Sequence, residues 1–189
     1  LDRLKMVGPA NDMSWLNNEH IDENIKSWQE SFKDFYHIEF QMADFDTQGT
    51  DLSRLDAVAL YNKGIRTIGC VLNTDKTGGN GIHWYCIFID MRKEPFTFEM
   101  FDSTGRYPTE NLIKLLETNR TAVQKELKKQ AEVINVSRQN RLQFSSSECG
   151  LFAMWYIFCR LNGIPYSYFS KPGAANDEMM IQFRKILFR

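Results

Sequence analysis

Cys149 stands in "SSSECGLFAMWYI" (145–157), at the threshold between a polar run and a dense apolar run, and glycine follows it. A cysteine that only filled core would sit inside the apolar block, as Cys159 does. The run "LFAMWYIFCRL" from Gly150 is apolar nearly all round, which predicts a buried helix with Cys149 at its loop-to-helix junction. Unpaired amides and the positive end of the helix dipole meet at such a junction, and both favour thiolate over thiol. A histidinium nearby strengthens the effect. The chemistry on offer is nucleophilic attack on a carbonyl carbon. Taken alone, the position suits a structural cysteine as readily as a nucleophile.

A thiolate needs a base, and the chain has only three histidines, at 20, 37 and 83. His83 opens the apolar run "HWYCIFID" (83–90), and Asp102 closes the run "FTFEMFD" (96–102). Both runs read as strands, joined by the turn "MRKEP" in an antiparallel hairpin, so His83 and Asp102 fall side by side at one end of it. A carboxylate there fixes the imidazole tautomer and leaves the other ring nitrogen to face Cys149. Separately, His83 reads as a strand-end histidine and Asp102 as a turn residue before "STG"; together they form a relay. Gln143 lies six residues before Cys149. Its amide can turn back and, with the Cys149 N–H, donate to an oxyanion. The bare sequence favours a surface glutamine at that position.

The remaining elements must position these groups. Residues 21–36, "IDENIKSWQESFKDFY", place Ile21, Ile25, Trp28, Phe32 and Phe35 at helical spacing, predicting one amphipathic helix. The stretch "DFDTQGTD" that follows is a loop. "TIGCVL" (67–72) is a strand, and "NTDKTGGNG" (73–81) is a flexible lip, marked by Gly78, Gly79 and Gly81. A phosphate-cradling loop is a poor fit, because no Lys-Ser/Thr follows the glycines. Residues 109–131 form a long helix, "EVINV" (132–136) a strand, and roughly 176–188 a closing helix. The order predicts a single α+β domain over residues 1–189, with a central mixed or antiparallel sheet flanked by helices. Residues 1–13 read as a flexible N-terminal segment. The chain opens on Leu, which suggests a fragment of a longer one.

At 189 residues with 43% apolar composition, the chain can build one substantial core and is not disordered. A net charge of −1 argues against a nucleic-acid binder that works by bulk charge. The clusters "KKQ" (128–130) and "RQNR" (138–141) read as solvated surface. No apolar stretch approaches the ~20 residues of a membrane span, and no signal peptide is evident. Without a CxxC pair and with few histidines, a metal site is not expected. Cys70, Cys86 and Cys159 read as core thiols, which suits a reducing compartment.

The order His-Trp, then Asp after a strand, then Gln, five residues and Cys-Gly resembles the adenovirus-type and SUMO-type cysteine proteases, over nearly the whole chain. The resemblance implies their cysteine-proteinase fold and a triad of His83, Asp102 and Cys149 with Gln143 in the oxyanion hole. It implies no cofactor. It also implies that Trp84 walls a narrow substrate channel, although its apolar neighbours equally suit a core aromatic. The third triad position varies in that family, with Asp the common choice and Asn in a relative. The chain order His, Asp, Cys differs from the Cys, His, Asn of papain-like enzymes. The expected activity is cleavage of viral structural polyproteins after Gly-Gly-type sites during virion maturation, in host cytoplasm at assembly sites and in the virion. The expected partner is a polyprotein or peptide with small residues before the scissile bond. The glycine lip (78–81) would then move to admit the chain. The first alternative is an enzyme that removes SUMO or ubiquitin-like modifiers. Acetyltransferase effectors reuse a similar triad but carry Glu at the third position. A binding module that had lost its activity would not keep every catalytic residue.

Overall fold

The computed structural model describes residues 5–8, 16–137 and 140–189. In chain order the elements are α1 (Asn18–Trp28), β1 (Phe35–Gln41), α2 (Ala57–Asn62), β2 (Thr67–Asn73), β3 (Trp84–Asp90), β4 (Phe96–Phe101), α3 (Glu110–Ala122), β5 (Ala131–Asn135), α4 (Cys149–Leu161), α5 (Tyr166–Phe169) and α6 (Asp177–Leu187). The strands form a five-stranded mixed sheet in the order β1-β2-β3-β4-β5. Its outer pairs, β1–β2 and β4–β5, are parallel, and its inner pairs are antiparallel. This is the α+β arrangement that the order of elements predicts.

Both faces of the sheet are covered, so its central strands are buried throughout rather than alternately. Alternation still sorts their side chains between two cores. Trp84, Cys86 and Phe88 of β3 face the core that α1 and α4 complete. Tyr85, Ile87 and Ile89 face the core beneath α2 and α3. Helix α4 lies across β3 and β2. Its Leu151, Phe152, Met154 and Ile157 are fully buried, each worth about 1.5–3 kcal/mol of apolar burial. That is why the run after Cys149 has no polar face.

Two helices depart from expectation. The helix predicted over 109–131 ends at Ala122 and passes into a π turn over Val123–Leu127, and Ala131 already opens β5. The predicted helix over 21–36 ends at Trp28, and residues 29–34 are turn. Phe35, expected on that helix, instead opens β1 and pairs with Thr67. The stretch "FYHIEFQ" is rich in β-branched and aromatic residues and finds a parallel partner in β2. The helical spacing of Phe32 and Phe35 arises because the turn returns both to the core already occupied by Ile21 and Ile25. Of the N-terminal segment, Met6 bridges to Phe188, and its N–H donates to the Leu187 carbonyl. Residues 1–4 and 9–13 of that predicted flexible stretch lie outside the described residues. Among the described residues no helix is long and apolar enough to cross a membrane.

Candidate active site

His83 lies just before β3 and Asp102 just after β4. The β3–β4 register pairs Cys86 with Phe101, which carries the two strand ends past each other and brings the side chains together. Asp102 Oδ1 accepts from His83 Nε2 at 2.8 Å. The same oxygen accepts from the Thr104 N–H at 2.8 Å and the Thr104 hydroxyl at 2.7 Å. The Asp102 N–H donates to Ser137 Oγ at 2.8 Å, which fixes the backbone of the carboxylate. Asp102 is therefore held from three sides before it orients the imidazole.

Cys149 lies close enough to His83 to act on its charge alongside Asp102. With Nε2 committed to Asp102, the ring nitrogen left to face the thiol is Nδ1. Burial works against the imidazolium, but hydrogen bonds and negative charge from Asp102 and Cys149 outweigh it, and the His83 pKa rises from 6.5 to about 9. Cys149 is the first residue of α4, so its N–H is among the four that a helix cannot satisfy internally. The glycine after it has a packing reason: a Cβ on Gly150 would meet Ile21 Cδ1 at 3.3 Å, where α4 crosses α1.

Gln143 is 2% exposed, and both ends of its amide are held. Its Oε1 accepts from the Ser103 hydroxyl at 2.6 Å, and its Nε2 donates to the Ser145 carbonyl at 2.9 Å. A carbonyl can only accept, so this pair fixes which way the amide points. The second Nε2 hydrogen remains for a ligand in the cleft that Gln143 lines together with His83. The sequence predicts a triad and an oxyanion donor, and the fold brings His83, Asp102, Cys149 and Gln143 to one place.

Trp84, next to His83, is 7% exposed and meets the Phe40 ring edge-on at 5.8 Å. It belongs to the same core cluster as Cys149. Gly78, Gly79 and Gly81 belong to the loop between β2 and β3 and do not line the cleft beside His83. The base of that loop is fastened by Asn73 Oδ1, which accepts from the Asp75 and Ile82 N–H groups at 2.8 and 3.0 Å. A Cβ on Gly79 would fall 2.1 Å from Asp75 Oδ2, so this glycine serves the packing of the loop itself.

Several positioning residues carry no local signal in the sequence. Thr104 and Ser137 hold Asp102, and Ser103 holds the Gln143 amide. Helix α6 holds the nucleophile loop at two points. Asp177 accepts from the Phe144 and Ser145 N–H groups at 3.0 and 2.9 Å. The buried Arg184 reaches Glu148, the residue before the nucleophile, at 3.3 Å. Glu148 alone had a clue in the sequence, as an acid directly before an apolar run, and it is fully buried. The other three cysteines lie in the core. Burial pushes the Cys159 thiol up to about 12 and holds Cys70 and Cys86 well above the ordinary thiol value. Among the described residues, no group of three or more His, Cys, Asp or Glu could hold a metal ion.

An imidazole clamped by a carboxylate, with a thiol and an oriented amide beside it, can carry out nucleophilic acyl transfer. Comparison with known proteins gives the same chemistry. The model of the Ulp1 protease family, C-terminal catalytic domain, matches residues 65–189. A SUMO-1 cysteine protease of African swine fever virus is 33% identical over 202 residues, which span 99% of this chain and 72% of that protein. The crystal structure of the African swine fever virus protease superposes with a TM-score of 0.90 at 32% identity, covering 99% of this chain and 72% of that one. The C-terminal Ulp1 protease domain, solved in complex with the yeast orthologue of SUMO, superposes with a TM-score of 0.58. That likeness covers 95% of this chain and 77% of the other at 14% identity, and speaks for the fold alone. By its family match over residues 65–189, its relatives and its fold, the chain belongs to the Ulp1 protease family of cysteine proteases.

Proposed function

We propose that the chain is an endopeptidase that cleaves viral structural polyproteins after Gly-Gly-type sites during virion maturation, working at assembly sites in the host cytoplasm and in the virion. The Cys149 thiolate attacks the scissile carbonyl, and the oxyanion is received by the Gln143 amide and the Cys149 N–H. His83, held protonated by Asp102 and Cys149, gives its proton to the leaving amine. The acyl-enzyme is then hydrolysed, with His83 drawing a proton from the attacking water. The viral proteases among its relatives support the setting.

The observation that carries the choice of substrate is burial of the nucleophile. Cys149 is 1% exposed and Trp84 7%, so only a thin, extended chain can reach the sulfur. Glycine is the residue without a β-carbon. Peptides ending Gly-Gly before the bond are expected to be cut well, and Gly-Ala counterparts roughly 10–200-fold more slowly, the range one methyl commands in a tight site. Trp84→Ala should narrow that gap while lowering the overall rate. Equal cleavage of both peptides by the intact enzyme would remove the channel from the mechanism.

The pH profile tests the acid. Because His83 titrates at about 9, kcat/KM should fall on the alkaline side with an apparent pKa near that value, as the imidazolium is lost. Asp102→Asn keeps an acceptor for the His83 N–H but removes its charge, so the limb should move to lower pH with measurable activity left. Asp102→Ala should do worse. The stability effect has the same sign: protonated His83 contributes fully below pH 6.5, its ordinary pKa, and that contribution fades as pH rises through about 9. An alkaline limb indifferent to Asp102 would break the assigned relay.

The second reading is removal of a SUMO-like modifier. It is favoured by the viral relative described as a SUMO-1 cysteine protease and by the fold shared with the Ulp1 domain solved on SUMO. Cleavage of a folded modifier fusion at a far higher kcat/KM than its isolated tail peptide would favour it. Comparable rates favour the polyprotein.

A further inference from the structure

A cleft of about 340 Å³ opens beside the triad, lined by His83 and Gln143 but not by Trp84. His83 protonates the leaving amine, so the chain that departs with that amine must lie against His83. A cleft that holds the acid and the oxyanion amide but omits the channel wall therefore lies on the leaving-group side of the bond. Its lining is chemically one-sided. Arg106 and Arg141 line it, and no carboxylate does. Both arginines are exposed, and neither pairs with a carboxylate among the described residues. The Arg141 Nε–H donates to the Gln143 carbonyl at 2.7 Å, and its guanidinium carbon stands 5.0 Å from the Phe144 ring centre, so the side chain is braced with its outer nitrogens unassigned. Two large apolar residues stand at the rim, Ile82 at 58% and Phe144 at 72% exposure. In a chain of net charge −1, a lining with two guanidiniums beside a histidine held protonated is a local feature, and the two acids behind it, Asp102 and Asp177, are already bonded to His83, Thr104, Phe144 and Ser145.

We propose that this cleft is a subsite for an acidic residue at the first or second position after the scissile bond, its carboxylate received by Arg106 and Arg141 and its neighbouring side chain packed between Ile82 and Phe144. Guanidinium forks match carboxylates in geometry as well as charge. The rim supplies apolar contact that a charged pocket alone would lack. The proposal rests on the cysteine-protease reading of the site and does not depend on which residues precede the bond.

The test uses peptides identical up to the bond, with Gly-Gly before it and Glu, Gln or Lys at the first and second positions after it. Wild type is expected to prefer Glu over Lys by about tenfold in kcat/KM at low salt, with the gap shrinking in about 1 M salt, as exposed charge pairs do. Arg106→Glu should invert the preference, Arg106→Lys should keep most of it, and Arg141→Gln should weaken it. Arg106 is exposed and makes no hydrogen bond to the triad, so folding is not at stake. No charge preference in wild type, or one unchanged by Arg106→Glu, overturns the subsite. A second arm separates this result from the identity of the residues before the bond: amine-terminated leaving-group peptides alone are titrated into Cys149→Ser protein and followed by NMR shifts. If Gly-Gly peptides are not cut but acidic leaving-group peptides bind more tightly than basic ones, the Gly-Gly reading fails and the subsite stands. Equal or undetectable binding of the two overturns the subsite.

Discussion

Replacing Cys149 with serine is expected to lower peptide cleavage by a factor on the order of 10⁴ or more while leaving the fold intact. The reason lies in what His83 can do for each nucleophile. Asp102 and Cys149 together hold its ring as imidazolium, a partner that suits a thiolate, whereas a serine hydroxyl is far too weak an acid to ionise beside it. Serine differs from cysteine by one atom, and Cys149 is the first residue of α4, after the N-cap Glu148, so the melting temperature should barely move. Rates and melting curves on the same preparations check both halves. A thiol-reactive probe adds a control. Cys70, Cys86 and Cys159 have thiols raised by burial, whereas Cys149 has a histidine beside it, so labelling should stop when Cys149 alone is replaced. Wild-type turnover in the serine variant, or labelling that persists, would end the mechanism.

Arg160→Met is expected to destabilise the protein by roughly 3–5 kcal/mol, lowering Tm by about 6–20 °C for a chain of this size. Glu99 is wholly buried in β4, and four donors neutralise or solvate it. Its Oε1 accepts from the Tyr156 hydroxyl at 2.5 Å and Arg160 Nε at 2.8 Å. Its Oε2 accepts from an Arg160 terminal nitrogen at 2.9 Å and the Thr97 hydroxyl at 2.5 Å. Arg160 also reaches Asp90 at 2.8 Å, where burial opposes ionisation but Arg92 and Arg160 hold the Asp90 carboxyl below its ordinary range. Removing the guanidinium strands a carboxylate between the sheet and α4. Removing both partners strands no charge at Glu99, although the buried Tyr156 and Thr97 hydroxyls lose their acceptor, so Glu99→Leu combined with Arg160→Met should recover part of the loss. Denaturant titration of the three variants decides it. A single-variant cost below about 1 kcal/mol would mean that Arg160 does not compensate a buried charge. The network matters to the site because it ties α4, whose first residue is the nucleophile, to β4, whose end presents Asp102.

Much of the site is legible in the sequence because its signals are local or nearly so. The run after Gly150 is apolar on every side, and only a helix buried in a core accounts for that. The residue at its polar threshold must then be a helix start, whatever the rest of the chain does. His83 and Asp102 lie at the outer ends of two β-rich runs joined by a short turn, and an antiparallel hairpin leaves such ends adjacent. Gln143 is close enough along the chain to remain near Cys149. Where local signals compete, the reading fails: helical spacing at Phe32 and Phe35 extended α1 too far, because a chain that turns back to the same core reproduces the spacing by accident.

The tertiary structure decided what holds the site still. Ser103 and Gln143 are 40 residues apart, Asp102 and Ser137 are 35, and Asp177 and Phe144 are 33. Nothing in a serine or aspartate foretells a partner at that distance, since each satisfies itself equally well in a turn or in water. The same holds for Arg106 and Arg141, which read as solvated charges until the fold sets them on one cleft beside His83. Apolar periodicity is written residue by residue, because burial acts on every side chain of an element at once. A hydrogen bond between two loops exists only after the sheet and helices have brought those loops together, and it leaves no periodic mark on the sequence.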